Sequence, residues 1–260
     1  MQKEKIIVSE ADVTSRSRAI NKPGIYSLLP AANRVFSSLP GFQDVRAQIM
    51  GAPQLGAKFV EYELFIDSGG KTITTRCEAF EHFFYVLEGD LTFESSGKIH
   101  TLEPGCFCWL PPQSPFSFIN KTLAQTRMVW IRRHYEKVAG IDIPAEIIRH
   151  ESEVIANPTD TYLEQHLTPY GNIAFDMGIN LQVFDPGVYF SFVESHIMEH
   201  GLYMVGGRGI YWLNGDYMEV QQGDFIYMAP FCPQFYYATG WERSAYLLYK
   251  DVNRDYATQL

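Results

Sequence analysis

The amino-acid sequence predicts an all-β chain made of two tandem copies of one small antiparallel module, each rolled into a barrel. Three observations predict it. Eighteen Phe, sixteen Tyr, twenty Gly and fourteen Pro among 260 residues favour strands and turns over helices. The sequence repeats against itself at an offset of 118 residues. Within each copy, short apolar runs are broken by turn residues, and no helical period is sustained.

The repeat falls on punctuation. Gly69 meets Gly187, Glu81-His82 meets Glu199-His200, and Tyr85 meets Tyr203. Gly89, Gly97 and Gly105 meet Gly207, Gly215 and Gly223, and Pro112 and Pro115 meet Pro230 and Pro233, all without a gap. Matches dominated by Gly and Pro mean that turns recur at the same places. The second copy then reads in order. A strand Leu202 to Val205 ends at the break Gly206-Gly207-Arg208-Gly209, and Ile210 to Leu213 follows. Asn214-Gly215 is a two-residue hairpin signal leading into Tyr217 to Val220. The apolar run Phe225 to Ala229 is stopped by Pro230 and Pro233, and the last strand is Ala245 to Lys250. A small antiparallel module must hide its sheet edges, which a rolled double sheet does.

The expected organisation is an N-terminal arm with edge strands over 1–60, a first barrel over 61–135, a charged linker with a short helix over 136–168, and a second barrel over 169–260. The arm is expected to pack against both barrels. The net charge of −9 repels phosphate backbones and anionic lipid, so neither nucleic acid nor a membrane is an expected partner. Ile6-Ile7-Val8 is too short for a signal-peptide core, and no stretch approaches a membrane span. Cys77, Cys106, Cys108 and Cys232 contain no C-x-x-C pair and read as free thiols in a reducing cytosol. The expected location is therefore cytoplasmic.

Chemistry concentrates in the second copy. Glu194 and His196 are two apart and share a face if on a strand, His200 keeps their parity, and Gln234 lies just beyond the Pro230 turn. A carboxylate, two imidazoles and an amide oxygen converging in a barrel suit a divalent metal. The oxygen and nitrogen donors without thiolate favour an octahedral ion such as Mn²⁺ or Fe²⁺ over structural zinc. Two open positions would make the site catalytic. The alternative is a set of hydrogen-bonded polar residues at a barrel mouth. The repeat acts as an internal control, since the positions 118 residues earlier are Arg76, Glu78, His82 and Phe116. A shared structural role would persist in both copies, and three of the four residues differ. The first barrel is therefore expected to bind no metal, with His82 a core histidine. On the last strand Tyr246 and Lys250 face one side. An inward Lys needs an anionic partner, such as a substrate carboxylate or Glu194, whereas a surface Lys at a strand end needs none. Tyr211 is a further candidate. His100, His134, His150 and His166 show no ligand spacing and read as surface residues.

These spacings resemble the cupin superfamily, with its Gly, H-x-H, Glu, Gly first motif and its later Pro and His. Here the first His is replaced by Glu194, the Glu by His200 and the last His by Gln234, and Gly187 stands one residue further from Glu194 than the pattern asks. The altered quartet E-x-H-x3-H with a later Gln resembles the bicupin (S)-ureidoglycine aminohydrolases of allantoin breakdown. Pro53 to Val60, Glu199-His200-Gly201 and Tyr249 to Asp255 are similar to that family as well. The resemblance implies two tandem cupin (double-stranded β-helix, jelly-roll) barrels in one chain. It implies release of ammonia from (S)-2-ureidoglycine to give (S)-ureidoglycolate, with Mn²⁺ held by Glu194, His196, His200 and Gln234. It further implies Tyr211, Tyr246 and Lys250 on the substrate, and an acidic residue from the linker side, for which Glu136 is the nearest match. A homo-oligomer is expected. The rival readings are another metal-cupin enzyme, such as an Fe²⁺ dioxygenase or isomerase, and a non-catalytic bicupin that binds a small carboxylate.

Overall fold

The computed structural model describes residues 18–251, which form strands, turns and three short 3-10 turns, with no α-helix among them. The first barrel is one curled sheet. Its path runs Ile147–His150, Cys106–Leu110, Phe80–Glu88, Thr126–His134, Phe59–Thr72, Phe116–Ile119, Leu91–Ser95 and Lys98–Leu102. Phe42–Gly51 and Phe36–Ser38 extend it along the edge of Phe59–Thr72. In the second barrel an eight-stranded sheet runs from Ile20–Lys22 through Tyr26–Leu29, Phe225–Met228, His200–Gly206, Ser244–Lys250, Gly178–Phe184 and Leu163–His166 to Asn157–Pro158. Its partner has three strands, Asp216–Gln221, Arg208–Leu213 and Gln234–Thr239. The segments outside the two copies thus supply edge strands. Tyr26–Leu29 closes the second barrel on Phe225–Met228, and Ile147–His150 occupies the matching edge of the first on Cys106–Leu110. The charged stretch between the copies carries a 3-10 turn at Glu151–Glu153.

The 118-residue repeat is a repeat of backbone conformation. Gly89 and Gly207 have φ of 72° and 69°, and Gly105 and Gly223 have 88° and 85°. The register also includes residues that are not glycine. Ser96 and Asn214 are left-handed at 50° and 48°, and Gln113 and Phe231 both at 63°. Gly89 and Gly207 carry a second constraint, because a Cβ there would lie 2.7 Å from the Gln125 carbonyl oxygen and 2.5 Å from that of Arg243. Those two carbonyls are themselves 118 residues apart, so the same close approach is built twice.

Strand alternation divides the core in three. On Phe80–Glu88, Phe84 and Val86 fill the first barrel while Phe83 and Tyr85 face the other barrel. On Ser244–Lys250, Tyr246 and Leu248 point inward and Leu247 and Tyr249 face the first barrel. The two large sheets therefore pack face to face through aromatic side chains, each worth about 1.5–3 kcal/mol when fully buried. Buried polar groups pin the register across this seam. Arg34 donates to Gln48 Oε1, to Glu63 Oε2 at 2.7 Å and to the Gly223 carbonyl at 2.6 Å, so the arm is tied to both barrels. Arg133 donates to Tyr249 Oη and to the Asp251 carbonyl. Cys106, Cys108 and Cys232 are buried, Cys77 is exposed, and none is disulfide-bonded. No helix among the described residues is long and apolar enough to cross a membrane.

Candidate metal centre and substrate cavity

His200 opens its strand opposite Met228 and Lys250, with the parity of the inward residues Leu202 and Met204. Gln234 opens its own strand with the parity of Tyr236 and Ala238. Glu194 lies in the loop before His200, and two backbone hydrogen bonds of 2.9 and 2.8 Å bridge it to Gln234. This bridge brings residues forty positions apart to one end of the barrel. Glu194, His196, His200 and Gln234 there share a cavity of about 270 Å³ with Lys250 and Tyr246. His196 Nε2 lies 3.0 Å from Glu194 Oε2, and the two imidazole centroids are 5.5 Å apart. Among the described residues no three His, Cys, Asp or Glu side chains close on a single point as a metal cage would, and the Gln234 amide lines the same cavity as Glu194, His196 and His200.

Electrostatics suit a neutral ligating imidazole. Burial, and after it Lys250 and His196, push His200 well below the usual histidine range, which leaves a free ring lone pair. Burial also pushes the Tyr211 and Tyr246 phenols well above their usual range, so both stay protonated.

Of the other expected residues, Tyr246 and Lys250 line the cavity, and Tyr211 and Glu136 do not. Lys250 does line it, at the end of the last strand, so it is no surface lysine. Tyr211 is 1 % exposed and lies beneath the cavity, where its hydroxyl donates to Gln234 Oε1 at 3.2 Å. Glu136 is elsewhere. Its side chain is 63 % exposed, lies 3.7 Å from Arg133, and is held outside by a bond from its own N–H to Asp176. The carboxylate that does reach the cavity from the segment between the copies is Glu164. Asn180 Nδ2 and Gln182 Nε2 both donate to its Oε1, at 2.9 and 2.8 Å. His166, expected at the surface, lines the same wall with its side chain 24 % exposed, Nδ1 against Asn180 Oδ1 and Nε2 3.5 Å from Glu164 Oε2. Tyr170 stacks on it at 4.7 Å. Glu164 and His166 stand two apart, as Glu194 and His196 do, but on a half-buried strand whose sequence reads as linker.

The first barrel preserves the scaffold and changes the chemistry. Arg76 and Phe116 make the same two backbone bonds, at 2.8 and 2.9 Å. There Arg76 and Arg132 both pair with Glu78, and Trp130 Nε1 donates to His82 Nδ1. Burial pushes His82 down to about 4. An ion cluster thus stands where the second barrel holds its donors.

A relative from Escherichia coli described as (S)-ureidoglycine aminohydrolase is 32% identical over 245 residues, covering 92% of this chain and 93% of its own. The chain belongs to the (S)-ureidoglycine aminohydrolase family. A second aminohydrolase of this name, from Arabidopsis thaliana, is 30% identical over 94% of the chain and 81% of its own. The family model of the cupin domain matches residues 64–132, in the first barrel. Among solved structures, protein YlbA from E. coli has a TM-score of 0.85 at 30% identity, covering 95% of this chain and 98% of that one. Bacillus subtilis oxalate decarboxylase, at 10% identity with a TM-score of 0.69 over 90% and 78% of the two chains, shows the shared two-cupin fold.

The donor set of this aminohydrolase family member fits a hard divalent cation. His200 Nε2 is buried and has no hydrogen-bond partner among the described residues. An orphaned buried nitrogen costs on the order of 1–3 kcal/mol, which a bound cation would offset. A carboxylate, two imidazoles and an amide oxygen around it form the mixed nitrogen and oxygen set such ions take.

Proposed function

We propose that this chain hydrolyses (S)-2-ureidoglycine, releasing ammonia and giving (S)-ureidoglycolate, in the cavity of its second barrel. The observation that carries the reading is the donor quartet, present in one copy and absent from the other, in a chain similar along nearly its whole length to ureidoglycine aminohydrolases. That breadth of similarity also weighs against the dioxygenase and ligand-carrier readings. Glu194, His196, His200 and Gln234 would hold the metal, an octahedral ion such as Mn²⁺ or Fe²⁺ by its donors, and Mn²⁺ by the family resemblance. When bound, it would polarise the substrate and hold one face of the reacting carbon towards water.

The chain's own groups do the rest. Lys250 is the cavity's cation, and the substrate carboxylate is the anion it lacks. Glu164 receives two amide N–H bonds on Oε1, which orient the group with Oε2 beside His166 Nε2 at 3.5 Å. Hydrolysis forms a C–O bond to water and breaks the C–N bond to the amine, and the proton water gives up ends on ammonia. The Glu164 and His166 pair is placed to carry that proton. Tyr246 donates to Gln182 Oε1, and Gln182 in turn holds Glu164, so Tyr246 shapes this wall. We assign the reaction to the cytosol on the acidic composition and unpaired thiols. Exposed Phe192, Val193 and Phe231 near the ligand-bearing loop favour a homo-oligomer.

The test is ammonia release from freshly generated (S)-ureidoglycine by protein stripped of metal and then reloaded with Mn²⁺. Ammonia formed only after reloading, with a single ureidoglycolate enantiomer, is the expected result. One equivalent of bound Mn²⁺ with no rate above the spontaneous reaction would overturn the substrate assignment.

A further inference from the structure

We propose that Tyr211 is a positioning residue for the metal centre: its buried hydroxyl fixes the Gln234 side chain with the amide oxygen turned to the metal. The inference rests on the metal reading above and deepens it. A glutamine amide presents oxygen and NH₂ at nearly the same radius, and only the oxygen can ligate a cation. Something must select the orientation. Tyr211 is 1 % exposed, and its O–H donates to Gln234 Oε1 at 3.2 Å. A carbonyl oxygen has two lone pairs, so accepting from Tyr211 leaves one for the cation.

The chain holds its own control. The positions 118 residues earlier are Phe93 for Tyr211 and Phe116 for Gln234, two rings stacked at 6.0 Å. The copy without the amide is also without the hydroxyl, so the two polar groups occur as a pair. Tyr246, also fully buried, has its hydroxyl against that of Tyr211 and donates to Gln182 Oε1, and Gln182 Nε2 donates to Glu164. Two hydrogen-bonded groups therefore meet at these phenol oxygens inside the barrel, Tyr211 with Gln234 on one side and Tyr246 with Gln182 and Glu164 on the other. In this proposal Tyr211 acts through Gln234, a different role from the substrate contact that the family resemblance implies.

The experiment is a Mn²⁺ titration followed by electron paramagnetic resonance of the free ion, on wild type, Tyr211→Phe, Gln234→Glu and the double variant. A carboxylate has two equivalent oxygens and needs no orienting. Tyr211→Phe should weaken Mn²⁺ binding about 10–100-fold, the usual effect of losing an outer-shell partner. At saturating Mn²⁺ its KM should stay within about twofold of wild type. In the Gln234→Glu background the same change should cost less than roughly threefold, since the two residues are coupled. An equal loss in both backgrounds overturns the inference, as does wild-type affinity in Tyr211→Phe with a raised KM. Wild type that binds no Mn²⁺ removes the metal reading itself, a result distinct from either of these.

Discussion

Glu61 is the most exacting test of how the two barrels are joined. It lies on Phe59–Thr72 at the seam, 1 % exposed, with Oε2 lacking any hydrogen-bond partner and close beneath Gly201, the neighbour of His200. Burial pushes its carboxyl up from 4.5 to about 8, and the positive charge of Arg34 only partly opposes the shift. The unfolded chain releases this proton near pH 4.5, whereas the folded chain keeps it to about pH 8. The unfolded state therefore binds fewer protons across that window, and stability falls as pH rises through it. At about 1.36 kcal/mol per tenfold step, the full cost above pH 8 has an upper bound on the order of 5 kcal/mol. Glu61→Gln removes the titration with little change of shape. Urea unfolding, followed by tryptophan fluorescence, should give similar stabilities for wild type and variant at pH 5. At pH 8.5 the variant should be more stable by several kcal/mol, on the order of the linkage cost. Curves that stay parallel from pH 5 to 8.5 would refute the reasoning, because other groups titrate alike in both proteins and cancel.

Metal stoichiometry separates the barrels: Glu194→Ala should retain no Mn²⁺ by mass-spectrometric metal analysis, whereas Glu78→Gln, the His196 position of the first copy, should keep one equivalent. Gly89→Ala and Gly207→Ala should each lose on the order of 1–3 kcal/mol in urea unfolding, because both combine left-handed backbone with a carbonyl against the new methyl. A loss at only one of the two would contradict a duplicated backbone constraint. Gly201→Ala sets a methyl 2.5 Å from the Phe59 ring, so it should lower stability by roughly 1–3 kcal/mol and weaken Mn²⁺ binding at the adjoining His200. Unchanged affinity in a destabilised protein would show that the seam and the metal centre are independent.

Much of the barrel plan was readable because left-handed turns select glycine, and glycine can be aligned by eye. Asn214-Gly215 marked its turn as a hairpin, but the left-handed turns at Gln113 and Phe231 left no such mark, since the surrounding fold imposes the conformation on ordinary residues. Glu194, His196, His200 and Gln234 could be found from strand parity and from their absence in the first copy. Glu164 and His166 could not be found that way. Leu163–His166 is only half-buried and has no apolar alternation, so it reads as linker until its pairing with Gly178–Phe184 is known. The missed signal lay on that partner strand, where Asn180 and Gln182 alternate with Ile179 and Leu181. Both polar residues are 4 % exposed, and buried amides on one face of an apolar strand need partners.

The two copies also show how scaffold and chemistry separate. A pair of backbone hydrogen bonds joins Glu194 to Gln234 and, 118 residues earlier, Arg76 to Phe116. Backbone bonds are indifferent to the side chains they carry, so the barrel mouth forms equally well around an ion cluster or a donor set. In the first barrel Glu78 pairs with both Arg76 and Arg132. In the second, His200 Nε2 has no partner among the described residues and Lys250 faces an open cavity. A folded chain tolerates such unsatisfied groups where a ligand completes them. The difference between the copies is therefore whether the polar groups at the barrel mouth pair with one another, as around Glu78, or face the cavity, as His200 and Lys250 do.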